Sequence, residues 1–297
     1  MLTFNPLTIK DKHILDKYLQ DYKFNTSEYS FTNLLIWRKA CDIQYAIYEG
    51  VLIIKKRDFK KNYHFMQPIG YTKENLRELI EKLEEYKEQN NMEYLFKDVE
   101  SLFLEDLKDI YGDTPYIEKD IDNFDYIYSK DKLISLSGKK LHGKKNHYNY
   151  FIKNYNYTVK DFSEPGVVED CIALAEIWYN ENYTNDIYLS YELEGIIETI
   201  NHSDELNLKG MAVYVDDIIS SFTIGERVND EMAIVYFEKG RKDINGIYAF
   251  TNRTFVERYL SEVPYINREQ DLGIEGLRKA KRSYQPIKLE EKYCVTL

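Results

Sequence analysis

Three short stretches of this 297-residue sequence hold side chains whose types and spacing could do chemistry. The first runs from Tyr265 to Arg282. A short apolar strand ends in Asn267, Arg268, Glu269 and Asp271, and a helix follows directly. Ligands of α/β folds bind outside the carboxyl ends of strands. Asp271 is positioned to cap the helix, and Glu275, Arg278, Lys279 and Arg282 lie at spacings that allow ion pairs along it. A salt-bridged surface helix therefore accounts for the second part of the stretch. It does not account for Asn267-Arg268-Glu269, whose polarity at a strand end points to binding. The second stretch, Gly138 to His147, packs Lys139, Lys140, His142, Lys144, Lys145 and His147 into ten residues. Such a cluster suits phosphates and carboxylates, and the N–H groups of a helix starting there would add to anion binding. A solvated basic connector accounts for it equally. In the third stretch, Phe237 to Ala249, Glu238 ends a strand where a general base could deprotonate an amine. Asn245-Gly246 then leads into a helix.

The elements that must position these residues are mixed helix and strand. Ile43–Tyr48 and Val51–Lys56 alternate as a hairpin about Glu49-Gly50, and Tyr63–Pro68 is a third strand. A helix opens at Thr72, with Asn75 where a capping box wants glutamate. Glu93–Lys97 is a strand, Ser101–Tyr111 a helix, and Asp125–Tyr128 a strand closing the first half. The second half repeats the order. Helices from Val167 and Ser190 precede a hairpin about Asp216-Asp217. Met232–Glu238, a helix to Leu260, Tyr265–Asn267, a helix over Gly273–Ser283 and a last strand over Lys288–Val295 follow. The parallel lies in the order of elements, not in matching residues. With the chain length, it predicts two domains, 1–130 and 131–297. The unit of two helices, a three-strand meander, then helix, strand, helix and strand is that of acetyl-CoA-dependent N-acetyltransferases. The predicted fold class is α/β with two tandem GNAT-like domains. In that fold the turn holding Asn245-Gly246 cradles the coenzyme A pyrophosphate. The usual signature is half met, because Gly246-Ile247-Tyr248-Ala249 has the wrong final spacing. The matching Pro68–Thr72 turn lacks even that, so no cofactor site is expected in the first half.

Composition narrows the function further. The net charge of −11 argues against general affinity for nucleic acid or anionic membranes, leaving only local basic sites. No apolar run is long enough to span a bilayer, and the charged N-terminus lacks a signal core, so a cytoplasmic location is expected. Cys41, Cys171 and Cys294 are sparse and far apart, which predicts small core residues rather than disulfides or a zinc site. Hydrolase elbows, Walker loops and zinc-protease helices do not occur.

GKKLHGKKNHYNYF, SSFTIGE, YFEKG and YINREQDLGIEGLRKAKRSYQP together resemble a bacterial family grouped with the C-terminal domain of phosphatidylglycerol lysyltransferase. The resemblance spans nearly the whole chain, most specifically Asp125 to Tyr293. It implies tandem acyltransferase-type domains related to the Fem aminoacyltransferases, which take an amino acid from aminoacyl-tRNA and pass it to an amine or hydroxyl. Asp271, Gly273, Leu277, Lys281, Tyr284 and Pro286 resemble the tail pattern of such enzymes, which makes Lys281 the first catalytic candidate, its cation near the reacting ester. The resemblance also implies that Lys139 to His147 meet phosphate; on an aminoacyl-transfer reading Arg268 and Lys281 would stabilise the oxyanion, and Glu238 or Glu269 would accept the amine proton. Phosphatidylglycerol lysyltransferase also has a membrane domain, which this sequence lacks, and the helix from Thr72 is too short for the coiled-coil arm of the Fem enzymes. Two other expectations stand beside an aminoacyl-tRNA donor: an acyl-CoA-dependent N-acyltransferase with its cofactor at Asn245-Gly246, and a non-catalytic binder of an anionic metabolite or RNA.

Overall fold

The computed structural model describes residues 2–182 and 187–297. In chain order its strands are β1 (Asn5–Pro6), β2 (Gln44–Tyr48), β3 (Val51–Arg57), β4 (Tyr63–Phe65), β5 (Phe96–Val99), β6 (Tyr116–Lys119), β7 (Asp125–Ser129), β8 (Tyr157–Asp161), β9 (Lys209–Val215), β10 (Ile218–Arg227), β11 (Met232–Gly240), β12 (Tyr265–Asn267), β13 (Lys288–Glu290) and β14 (Tyr293–Thr296). The helices are α1 (Lys12–Leu19), α2 (Phe31–Trp37), α3 (Lys73–Gln89), α4 (Ser101–Tyr111), α5 (Lys130–Ser135), α6 (His142–Asn154), α7 (Val167–Asn182), α8 (Ile187–Asn201), α9 (Ile247–Tyr259) and α10 (Glu275–Arg282).

Two compact units result. One comprises Met1–Phe124 with Glu290–Leu297, the other Asp125–Leu289. The first has a sheet of order β1-β2-β3-β4-β5-β14-β6, the second one of order β13-β7-β12-β11-β10-β9-β8. Read from the far edge, the two orders match strand for strand, as the repeated element order predicts. In each, antiparallel strands lead to one parallel pair, β4/β5 or β11/β12. A parallel pair needs a crossover, here α3 or α9.

Local chemistry explains these elements. The β2–β3 and β9–β10 hairpins turn on Glu49-Gly50 and Asp216-Asp217, all four residues at positive φ, which matches the twist of the flanking strands. At α3, Asn75 does the work expected of glutamate. Its Oδ1 accepts from the Thr72 N–H at 2.8 Å, while the Thr72 hydroxyl accepts from the Asn75 N–H at 3.4 Å. In the first unit Leu76, Leu79, Ile80 and Leu83 of α3 pack with Val51, Ile53, Phe65 and Phe96. In the second, Ile247, Phe250, Phe255 and Val256 of α9 pack with Met211, Val213, Ala233 and Val235. Phe151 of α6 meets Phe250 at a centroid distance of 4.4 Å. Cys41, Cys171 and Cys294 are buried free thiols. Among the described residues no helix is long and apolar enough to cross a membrane.

The structure departs from the sequence reading at the domain boundary. Asp125–Ser129, read as the last strand of the first half, lies between β12 and β13 in the second sheet. Lys288–Val295, read as one strand, is broken in two: β13 edges the second sheet and β14 fills the slot between β5 and β6 in the first. Each unit thus takes its penultimate strand from the segment that follows the other unit. The physical reason is burial. Tyr126, Ile127, Tyr128 and Val295 are nearly solvent-free, and each slot demands a strand covered on both faces. Apolar pattern predicts a strand, but not which sheet it joins. Glu93–Lys97 is displaced to Phe96–Val99, and β6 and β8 were not anticipated. Both are half-solvated edge strands with weak alternation.

Candidate active site

In the second unit β11 and β12 pair only over Met232↔Tyr265, Ala233↔Ile266 and Ile234↔Asn267. Beyond Ile234, β11 continues to Gly240 while β12 has ended, so the two strands part. The chain leaving β12 turns at once, with Glu269 at a φ of 54°. Bonds to β7 and within the strand end hold that turn. The Arg268 N–H donates to the Tyr126 carbonyl at 3.0 Å, and the Tyr126 N–H donates to the Glu269 carbonyl at 3.2 Å. The Glu269 N–H donates to Asn267 Oδ1, and Asn267 Nδ2 to Asp125 Oδ2, both at 2.8 Å. Asn267 and Asp125 are fully buried, so this polar strand end is a rigid support.

It carries Arg268 to the place where the strands part. Arg268 Nη2 donates to Glu238 Oε1 at 3.3 Å, with the two side chains only 14% and 10% exposed. The guanidinium carbon lies 4.8 Å from the Tyr284 ring centroid and 5.7 Å from that of Tyr128. Asn252 Nδ2, on α9, donates to Glu238 Oε2 at 3.2 Å. Thr223 of β10 is the cross-strand partner of Glu238 and so shares its face. Burial is the largest single influence and opposes the Arg268 charge, but the Glu238 carboxylate together with Tyr128 and Tyr284 outweighs it, and the guanidinium titrates above its ordinary value. Four buried polar atoms in this cluster have no hydrogen bond of good geometry: Arg268 Nη1, the Tyr284 hydroxyl, Asn252 Oδ1 and Thr223 Oγ1, with the Arg268 and Tyr284 side chains near enough to interact with each other. Buried polar groups are nearly always paired, so a knot of open ones marks a place built for a polar ligand.

The other sequence candidates fall into three groups. Lys144 joins the cluster: its ammonium is 4.2 Å from the Tyr284 ring centroid, and burial, then the Arg268 charge, lowers its pKa. Lys139, Lys140, His142, Lys145 and His147 are exposed. His147 Nδ1 meets Asn245 Oδ1 at 3.1 Å, and the Asn245 N–H donates to the Tyr155 hydroxyl at 3.2 Å. Gly246 sits at a φ of 89°, and a Cβ there would stand 2.2 Å from the His147 carbonyl oxygen. The turn that would cradle a pyrophosphate is thus packed against α6. Asp271 is buried and structural: it takes two bonds from Arg278 at 2.8 and 2.9 Å, one from the Gly273 N–H at 2.9 Å and one from the Tyr126 hydroxyl at 2.6 Å.

Lys281 lies behind Arg268. Its ammonium donates to the carbonyls of Arg268 and Glu269, fixing the turn that aims the guanidinium. Burial first, and the Arg268 charge second, push its pKa down to about 8. A lysine that titrates at 10.5 when unfolded then binds more protons unfolded than folded between those values. Stability therefore rises with pH across that window, and this contribution is lost as pH falls through about 8. Lys281→Met should flatten that rise, as denaturant unfolding at the two ends of the window would detect; an unchanged slope would contradict it. Asn252, Thr223 and Tyr128 carried no sequence signal, because their place in the cluster depends on register and helix packing.

The chain matches, over residues 19–296, the model of the family described as "Phosphatidylglycerol lysyltransferase, C-terminal". The chain belongs to this family. A solved conserved protein of unknown function from Bacteroides thetaiotaomicron is 31% identical, with all of each chain covered and a TM-score of 0.88. L-PGS from Bacillus licheniformis shares the fold at 14% identity and a TM-score of 0.63, with 96% of this chain and 91% of that chain covered. A tandem GNAT protein from the clavulanic acid biosynthesis pathway does so at 10% identity and a TM-score of 0.52, with 99% and 97% covered. An uncharacterized protein of Mycoplasmoides gallisepticum is 26% identical over 204 residues, which span 67% of this chain and 63% of that protein. Both halves are thus GNAT-like, and the family name is that of a transferase.

In this member of the lysyltransferase C-terminal family, the first unit closes the opening that the second keeps. There the Glu100 N–H, just past β5, donates to Gln67 Oε1, just past β4, at 2.9 Å. The Glu100 carboxylate accepts from the Tyr22 hydroxyl and from the N–H groups of Asn25 and Thr26 at 2.7, 2.7 and 2.8 Å. Thr26, Ser27 and Tyr29 are fully buried, so the chain's own segment occupies the strand ends.

Proposed function

We propose that the second unit transfers an aminoacyl group from an activated ester, aminoacyl-tRNA, to an amine or hydroxyl. The observation that carries this is the bipolar character of the open atoms. On one side, beside the bonded Glu238 carboxylate, Asn252 Oδ1 is an open acceptor and the Thr223 hydroxyl can accept as well as donate. The bond from Asn252 Nδ2 to Glu238 fixes the amide so that Oδ1 stays open. On the other side Arg268 Nη1 is an open donor. An α-ammonium beside an ester carbonyl matches both; an acetyl thioester would leave the acceptors unpaired. The close packing of Gly246 on His147 also disfavours a coenzyme A pyrophosphate.

In this reading the acceptor N–H or O–H attacks the ester carbon. The oxyanion forms against Arg268, and Glu238 takes the proton. The C–O bond to the tRNA then breaks, and the ribose oxygen leaves as a hydroxyl after receiving that proton. Lys281 positions Arg268. The exposed Lys139, Lys140, His142 and Lys145, next in sequence to Lys144, offer phosphate contacts.

The test supplies lysyl-tRNA, a mixed pool of aminoacyl-tRNA, or acetyl-CoA. Acceptors are phosphatidylglycerol vesicles and a panel of small amines, and labelled product is followed. Label is expected to leave the aminoacyl-tRNA, less efficiently as salt weakens phosphate contacts. Label leaving acetyl-CoA alone would replace this reading with the N-acyltransferase one.

A further inference from the structure

Tyr284 follows α10 and is almost fully buried; no hydrogen bond of good geometry reaches its hydroxyl, although the Arg268 guanidinium is close enough to interact with the phenol oxygen. Leaving such a group unpaired costs about 1–3 kcal/mol, so a phenylalanine would fill the same space without the penalty. The ring has its own task, since the Arg268 guanidinium lies 4.8 Å and the Lys144 ammonium 4.2 Å from its centroid. Phenylalanine would meet both cations as well. A guanidinium and an ammonium only donate, so the phenol proton is not explained by packing or by its cation contacts. It lies in the same cluster as the second open donor, Arg268 Nη1. Burial, with the Glu238 charge next, pushes the phenol well above its ordinary value. It thus remains a donor throughout the working range and does not compete as a base.

We infer that the Tyr284 hydroxyl and Arg268 Nη1 form a two-donor oxyanion site, in which Tyr284 is a catalytic residue that bonds the tetrahedral oxygen directly. This rests on the proposed transfer reaction and adds to it a neutral donor that keeps its proton. As the acceptor attacks, the carbonyl π pair moves onto oxygen. The phenol O–H and the guanidinium N–H then donate to that oxygen. When the tetrahedral species collapses the pair returns, the ester C–O bond breaks, and both donors are unchanged. Preorganised donors at a buried site gain most when the charge develops, because they need no reorientation.

Tyr284→Phe removes the hydroxyl and keeps the ring. The full-length variant is expected to melt at or above the wild-type temperature, since an unpaired buried group is gone. Its kcat is expected to fall by about 100-fold, with KM little changed. Methylphosphonate, a tetrahedral oxyanion, serves as a probe that needs no turnover: wild-type protein should bind it and Tyr284→Phe should bind it at least tenfold more weakly, roughly the weight of one such hydrogen bond. Equal affinity in the two proteins, no binding by the wild type, or an unchanged kcat overturns the assignment. Absent transfer with the affinity difference intact overturns the aminoacyl reading alone.

Discussion

Replacing Arg268 with methionine is expected to lower transfer by about 100- to 1,000-fold, the usual consequence of losing a preorganised oxyanion donor. Two effects are mixed in that variant. Besides the donor, it removes the partner of a carboxylate only 10% exposed, and breaking a buried pair in this way costs about 3–5 kcal/mol. Arg268→Met combined with Glu238→Gln isolates the stability part, although it also removes the proton acceptor. With no uncompensated charge the double variant should recover most of the wild-type melting temperature, while transfer stays as low as in the single variant. Arg268→Lys should also stay impaired, because an ammonium cannot donate to Glu238 and to a second oxygen in the guanidinium's fixed fork. Wild-type turnover in Arg268→Met at a temperature where it remains folded would remove Arg268 from the chemistry.

Cutting the chain at residue 130 is expected to leave neither piece folded. The segment 131–297 lacks β7, whose Tyr126, Ile127 and Tyr128 are buried in the second sheet. A buried aromatic contributes about 4–6 kcal/mol, at about 25 cal/mol per Å² over 150–250 Å², so losing two tyrosines is comparable to a typical net stability of about 5–15 kcal/mol, and the empty slot adds to the loss. The loss would also dismantle the site, since Tyr126 bonds Arg268, Glu269 and Asp271, and Asp125 bonds Asn267. The segment 1–130 lacks β14 with its buried Val295, and it lacks Lys292, which is fully buried against Glu28. By contrast, the segment 125–289 contains every strand of the second sheet except the last residue of β13 and should melt cooperatively. Circular dichroism during heating distinguishes these outcomes. A cooperative melt of 131–297 matching that of 125–289 would show that β7 is dispensable.

Much of the fold was legible in the sequence because it is local. Period-two alternation about Glu49-Gly50 and Asp216-Asp217 announced both hairpins, and the 3.6-residue stripe from Leu76 to Leu83 announced α3. The recurrence of this order announced two like units. The polar strand end Asn267-Arg268-Glu269 was likewise visible as a candidate site, since three polar residues there conflict with burial unless they bind something. Tertiary structure alone decided how these residues divide their tasks. Lys281, the leading catalytic candidate by family pattern, bonds the carbonyls behind Arg268, and Asp271 is held by Arg278 and Tyr126. Lys144 leaves its basic cluster to join Tyr284. Thr223 and Asn252 reach Glu238 through strand register and helix packing, across long sequence separations. The exchange of β7 and β14 is of the same kind. A strand's pattern records how many of its faces are buried; which sheet buries them depends on the slot left open by the rest of the chain.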